Sequence, residues 1–286
     1  MGIFKKNGKE NEPATYKSAT NQELINYNVY YLSKRQKILY FSLAFIVGAT
    51  VAYLFYGGIG KDEYGEPTVV THVCNSVIMT VVGLVTGKIF LPIRVEQIIV
   101  KRKKQLRQQF IDLLDSLSAS LSAGKNVPNA FQTAKGDLLI QYSPDAYIVQ
   151  EVSQILSGID NNISVESMLV DFGKRSGIKD IVNFGKVFET SYQKGGNLKD
   201  IVKNSHEIIS SKCQIEMEIE TKVASNKNEQ NLMCVMPIIL ISMIKMAGSD
   251  FADNFTTPSG LVSSTIAIVI FIIAYFIGKK IMNIEV

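Results

Sequence analysis

Residues 38–60 read ILYFSLAFIVGATVAYLFYGGIG, 23 positions without a charged side chain. At a helical rise of about 1.5 Å per residue, such a run covers the roughly 30 Å hydrocarbon core of a bilayer. It predicts a membrane-spanning helix. A second apolar run occupies 69–93 and is interrupted by His72 and Lys88. A third, LMCVMPIILISMIKMAG at 232–248, is short and holds Pro237 and Lys245. A fourth, LVSSTIAIVIFIIAYFIG, fills 261–278. The competing reading of the third run is a buried core helix. That reading lacks a soluble core to be buried in, because the fourth run follows after a short loop.

The first run is not a signal peptide: it starts late, is long, and has no small-residue cleavage site. MGIFKK departs from the myristoylation pattern at Lys6. Composition agrees with a membrane class. The chain has 286 residues, 47% hydrophobic and only 20% charged, below soluble norms. A net charge of +4 is too mild to imply a nucleic-acid partner. Cys74, Cys213 and Cys234 are scattered, with neither a disulfide framework nor metal-ligand spacing.

Lys and Arg near the span ends set the expected orientation. Lys34, Arg35 and Lys37 precede the first run, Arg94 and Lys101–Arg107 follow the second, and Lys279 and Lys280 follow the fourth. The short loops KDEYGEPTVVTH and SDFADNFTTPSG are acidic on balance. Both termini and the middle segment are therefore expected in the cytoplasm and the short loops outside. This gives a polar N-terminal tail at 1–36, a hairpin at 37–93, a cytoplasmic segment at 94–231 and a second hairpin at 232–286. The spans carry no Asp or Glu, which counts against an ion-coupled transporter. Lys88 and Lys245 lie near span ends, where a long side chain snorkels to the interface.

The middle segment has apolar residues at three- and four-residue spacing, punctuated by glycine. Six helices are expected: 94–123, 126–135, 143–158, 164–177, 180–193, and one from 197 onward into the third span. Leu106, Phe110, Leu113, Leu117 and Leu121 line one face of the first. Ser143-Pro144 reads as a helix start. The fold class is thus all-α: four transmembrane helices with a six-helix cytoplasmic bundle between spans two and three.

Two turns match. AGKNVPNAF (123–131) and KGGNLKDIV (194–202) share glycine, any residue, Asn, an apolar residue, any residue, then Asn or Asp. Gly124 and the Gly195-Gly196 pair end one helix, and Asn126 and Asn197 cap the next, with Pro128 tolerated in the first turn. NISVESML (162–169) is a weaker relative, with Ser164 as cap. A phosphate cradle is the rival reading of these turns. No Lys-Ser or Lys-Thr follows at P-loop spacing, and the nearest look-alike, GLVTGK (83–88), lies inside a span and is one residue short. His206 and Cys213 are two turns apart, and no HExxH, CxxC or GxSxG occurs. The residues therefore support no catalytic group, cofactor or metal.

The block LLDSLSASLSAGKNVPNAF, then GNLKDIV after a Gly-Gly turn, then a long charged helix entering an apolar run, resembles the type II secretion system F domain. The resemblance covers roughly 94–248. The order of spans and domain resembles the inner-membrane platform proteins of tight-adherence (Tad/Flp) pili, which carry one such domain, and leans to the first of their two paralogous subunits. It implies a non-enzymatic platform in the inner (plasma) membrane. There it would contact lipid, pilin subunits, a hexameric secretion ATPase and a paralogous subunit or second copy. The alternatives are a membrane scaffold or sensor and a transport permease subunit.

One pairing is expected from the residues themselves. Lys101, Arg102, Lys103, Lys104 and Arg107 follow span two, and Glu216, Glu218 and Glu220 precede span three. If both helices continue out of the membrane, the clusters stand at similar heights of roughly 12–24 Å. The rival reading is contact of the bases with anionic lipid and solvation of the acids. In the N-terminal tail, NQELINYNVYYLSKR has the spacing of an interfacial helix with Leu24, Tyr27, Tyr31 and Leu32 toward lipid.

Overall fold

The computed structural model describes residues 12–17, 23–60, 66–247, 254–255 and 257–282. The expectations for residues 1–11 and 18–22, and for part of each short loop, lie outside these. The chain is mostly helical. Strands β1 (Thr15–Lys17) and β2 (Glu23–Ile25) precede helices α1 (Lys34–Tyr56), α2 (Val69–Ser122), α3 (Val127–Gln141), α4 (Tyr147–Asp160) and α5 (Val165–Ser176). Then follow α6 (Lys179–Gln193), α7 (Leu198–Ala247) and α8, which the chain forms over Pro258–Met282.

Two expectations are corrected. The fold is not purely helical, because β1 and β2 pair antiparallel with Thr15 opposite Ile25. The interfacial helix expected over 21–35 is not formed among the described residues: β2 is followed by a turn at Tyr27 and Asn28 and by irregular chain up to α1, and Tyr27 is fully buried in protein.

The chain divides into two units. The first joins the residues up to Tyr31 with Val95–Ile215. Its core forms where the apolar faces of α2 to α7 meet, and Leu106, Phe110, Leu113 and Leu117 of α2 are all buried in it. The Phe110 ring lies edge-on to Phe172 of α5 at 6.1 Å and to Phe184 of α6 at 5.4 Å. Helices α5 and α6 form a tight hairpin. Gly177 takes the left-handed conformation (φ 60°) that ends α5. A Cβ at Gly185 would lie 2.9 Å from Leu169 O, so the two backbones touch there. Helix α4 starts at Tyr147 with Ala146 as N-cap, three residues later than Ser143-Pro144 predicts. Residues 143–146 form a turn instead, closed by Ala146 N–H donating to Ser143 O at 2.9 Å.

The second unit joins Leu32–Arg94 with the chain from Glu216 onward. Among the described residues three helices, α1, α2 and α8, are long and apolar enough to cross a membrane, the mark of a membrane protein by length and composition. Helix α7 is not among these three; its apolar end holds Pro237 and Lys245. Small residues let α1 and α2 approach closely. Ala44, Gly48 and Ala52 are buried on α1, and the Phe41 and Phe45 rings press on Gly87 and Gly83 of α2. Those two glycines, four apart, belong to the P-loop look-alike, and here they form a packing groove of the GxxxG kind.

Candidate functional site

The glycine-asparagine turns have distinct geometries. Gly124 sits at φ 81° after α2. The Asn126 side chain accepts from Asn129 N–H at 3.0 Å, and Pro128 occupies the first turn of α3. In the second turn Gly195 sits at φ 69°, and Gly196 N–H donates to Ser191 O at 2.7 Å. Asn197 donates from Nδ2 to Asp200 Oδ2 at 2.6 Å, so its side chain meets another side chain. Ser164 makes no side-chain cap bond to α5.

Of the basic residues after the second apolar run, Arg102, Lys103 and Arg107 engage partners within the first unit. Arg107 Nε lies 2.8 Å from Asp180 Oδ2, and Lys212 Nζ lies 3.2 Å from the other oxygen. Asp180 sits in the first turn of α6, where the helix dipole favours an anion. It therefore links α6 to both α2 and α7. Lys103 Nζ donates to Asn28 Oδ1 at 2.7 Å. The Arg102 guanidinium lies over the Tyr30 and Tyr147 rings at 5.0 and 5.6 Å. Lys101 and Lys104 are exposed. Glu216 is half-buried and Glu218 and Glu220 exposed, on the part of α7 that belongs to the second unit.

His206 and Cys213 each tie α7 to α2 rather than to one another. His206 Nδ1 is 3.3 Å from Ile111 O, and the Cys213 thiol donates to Gln108 Oε1 at 3.7 Å. Among the described residues no group of His, Cys, Asp and Glu is placed to hold a metal ion.

The most developed polar site is one that the sequence reading missed. Arg175 of α5 donates from Nη1 and Nη2 to the two carboxylate oxygens of Glu151 on α4, at 2.8 and 2.7 Å. Its Nε donates to Asp171 Oδ2 at 2.7 Å. The Tyr27 hydroxyl donates to Glu151 Oε1 at 2.9 Å. Burial pushes the Tyr27 hydroxyl far above the ordinary tyrosine range, and the adjacent Glu151 carboxylate adds to it. Burial alone would lower the Arg175 pKa, but the bonds and charges of Glu151 and Asp171 outweigh it and hold the guanidinium firmly charged. A cleft of ≈ 220 Å³ opens beside the pair, between Tyr16, Lys17 and Leu24 on one side and α4 and α5 on the other. The sequence does carry a faint signal. Glu151 shares the apolar face of Ile148, Val152 and Ile155, and Arg175 follows Leu169 and Phe172 at three-residue steps. Two charges on apolar faces imply a buried pair.

Fold and site together define a membrane protein with a helical unit that holds a buried ion pair. Set against protein-family models, curated proteins and solved structures, the chain matches none of them.

Proposed function

We propose that the chain is a non-enzymatic platform subunit of a pilus or secretion assembly machine, of the tight-adherence kind that its turns resemble. It has four spans, a six-helix cytoplasmic head and both termini inside, in the plasma membrane. It passes motion from a hexameric secretion ATPase to pilin subunits, beside a paralogous subunit or second copy. The observation that carries this reading is continuity. Helices α2, over Val69–Ser122, and α7, over Leu198–Ala247, each run without a break from one unit into the other. Pro92 in α2 and Pro237 in α7 each remove one helical hydrogen bond, but both helices continue through them, and a continuous helix is what a relay of force requires.

The end of α7 is the third span in this reading, and its surroundings support that. Gln230 Nε2 donates to Tyr275 O at 3.0 Å, which sets α7 alongside the apolar α8. Lys245 Nζ donates to Gly57 O, the C-cap of α1, at 3.2 Å, and lies 5.9 Å from the Phe255 ring. A cation on a helix C-terminal carbonyl is favourably placed, so this one charge does not exclude a span. Leu232, Met236, Leu240 and Met243 are exposed around it, as lipid-facing side chains are.

The test has two arms on the full chain. It is expected to co-purify with the hexameric ATPase of its own assembly machine and to hydrolyse no ATP alone. Reporters fused at Lys135 and at the C-terminus are both expected to read cytoplasmic. An external reading at Lys135, or ATP turnover by the purified chain, overturns the proposal.

A further inference from the structure

Residues 12–17 and 23–31 form a strap across the first unit. Its contacts differ in kind from those of the core beneath it. The core rings of Phe110, Phe172 and Phe184 pack on one another, while Tyr27 of the strap meets the Tyr147 ring of α4 edge-on at 5.6 Å. To that core the strap adds one fully buried side chain, Tyr27, with Ile25 partly packed against it. The two three-residue strands are too few to hold a shape without a surface to lie on.

What the strap covers is complete without it. The Glu151–Arg175 pair satisfies itself through two parallel bonds, and Asp171 takes a third guanidinium hydrogen. The strap adds only the Tyr27 hydroxyl and the Ile25 carbonyl, which accepts from Arg175 Nη1 at 3.2 Å. If the strap leaves, no charge is stranded without a partner, and water takes the vacated positions. Breaking the pair itself would strand a charge. Further strap bonds are part-buried and go to the end of α5 and to α2. Tyr27 N–H and Asn28 Nδ2 both donate to Arg175 O at 3.1 Å, near the end of α5. Lys103 holds the Asn28 side chain from its other side.

We infer that the strap is a detachable arm, docked through Tyr27 in a peptide groove formed by α4 and the end of α5, and that the helical unit stays folded when the arm leaves. The groove is an interaction surface for an extended segment bearing a buried tyrosine. Its occupant is this chain's own N-terminal segment. Undocking uncovers the Glu151–Arg175 pair and frees the stretch that leads, through Leu32 and Ser33, into α1.

Hydrogen exchange on the full chain in lipid nanodiscs tests this, read over 23–31 for the arm and 106–117 for the core of α2. In the unaltered protein the arm is expected to exchange faster than the α2 core. Tyr27→Phe removes one bond to a charged acceptor, and arm exchange is expected to rise roughly tenfold to a hundredfold with the α2 core unchanged. Asn28→Ala, at the outer end of the arm, is expected to act in the same direction and less. An arm that exchanges as slowly as the α2 core overturns the inference. So does a rise of both regions together in Tyr27→Phe, or no rise in the arm.

Discussion

The two units treat the same kinds of side chain in opposite ways. In the first, Phe110, Leu114 and Phe172 are sealed from the surface altogether. In the second, Ile270 on α8 is 59% exposed, and Val81 and Ile266 are exposed to a similar degree. A water-soluble surface does not carry apolar patches of that extent. The contrast teaches that one chain is built for two solvents: the first unit excludes water from a core, and the second offers its apolar side chains to lipid. Glycine also works differently in the two. At Gly185 a neighbouring backbone comes close, while at Gly83 the contact is the Phe45 ring.

The sharpest way to break this comparison is to delete the same kind of group in each unit. Phe110→Ala removes a ring from a sealed core and is expected to cost about 3–5 kcal/mol. Ile270→Ala removes a group from a lipid-facing surface and is expected to stay within about 0.5 kcal/mol. Thermal unfolding of the full chain in nanodiscs measures both, and equal effects would erase the distinction. The glycines come next. Gly185→Ala presses a methyl against Leu169 O and is expected to cost about 1–3 kcal/mol. Gly83→Ala meets a ring that is able to turn aside, so its midpoint is expected to fall less.

The smallest effect concerns pH. Tyr142 donates a short bond to Asp112, and burial together with that carboxylate pushes its hydroxyl up to about 12. In the unfolded chain the hydroxyl titrates near 10, so the unfolded state releases its proton first as pH rises. This contribution is therefore complete below about pH 10 and is lost between about 10 and 12. Melting followed by circular dichroism from pH 9 to 12 is expected to fall less steeply for Tyr142→Phe than for the unaltered chain. Identical slopes would mean that the bond contributes nothing.

Much of the fold was legible because its signals are local. A charge-free run of 23 residues specifies a span by length alone. The three- and four-residue periods gave the buried face of α2, and Gly177 ends α5 because a left-handed residue without a side chain costs least there. The strap was misread for the same reason that the helices were read well. Leu24, Tyr27 and Tyr31 have helical spacing, so a local rule returns a helix.

The sequence by itself determined the three long apolar helices, the buried face of α2 and the glycine-ended turns. All of these are set by neighbours in the chain. Only the tertiary structure decided that Tyr27 lies over Glu151, 124 residues away, and that Arg175 joins them. The physical reason is that a buried ion pair is stable only when its partners meet in three dimensions. Neither half carries a local mark that names the other.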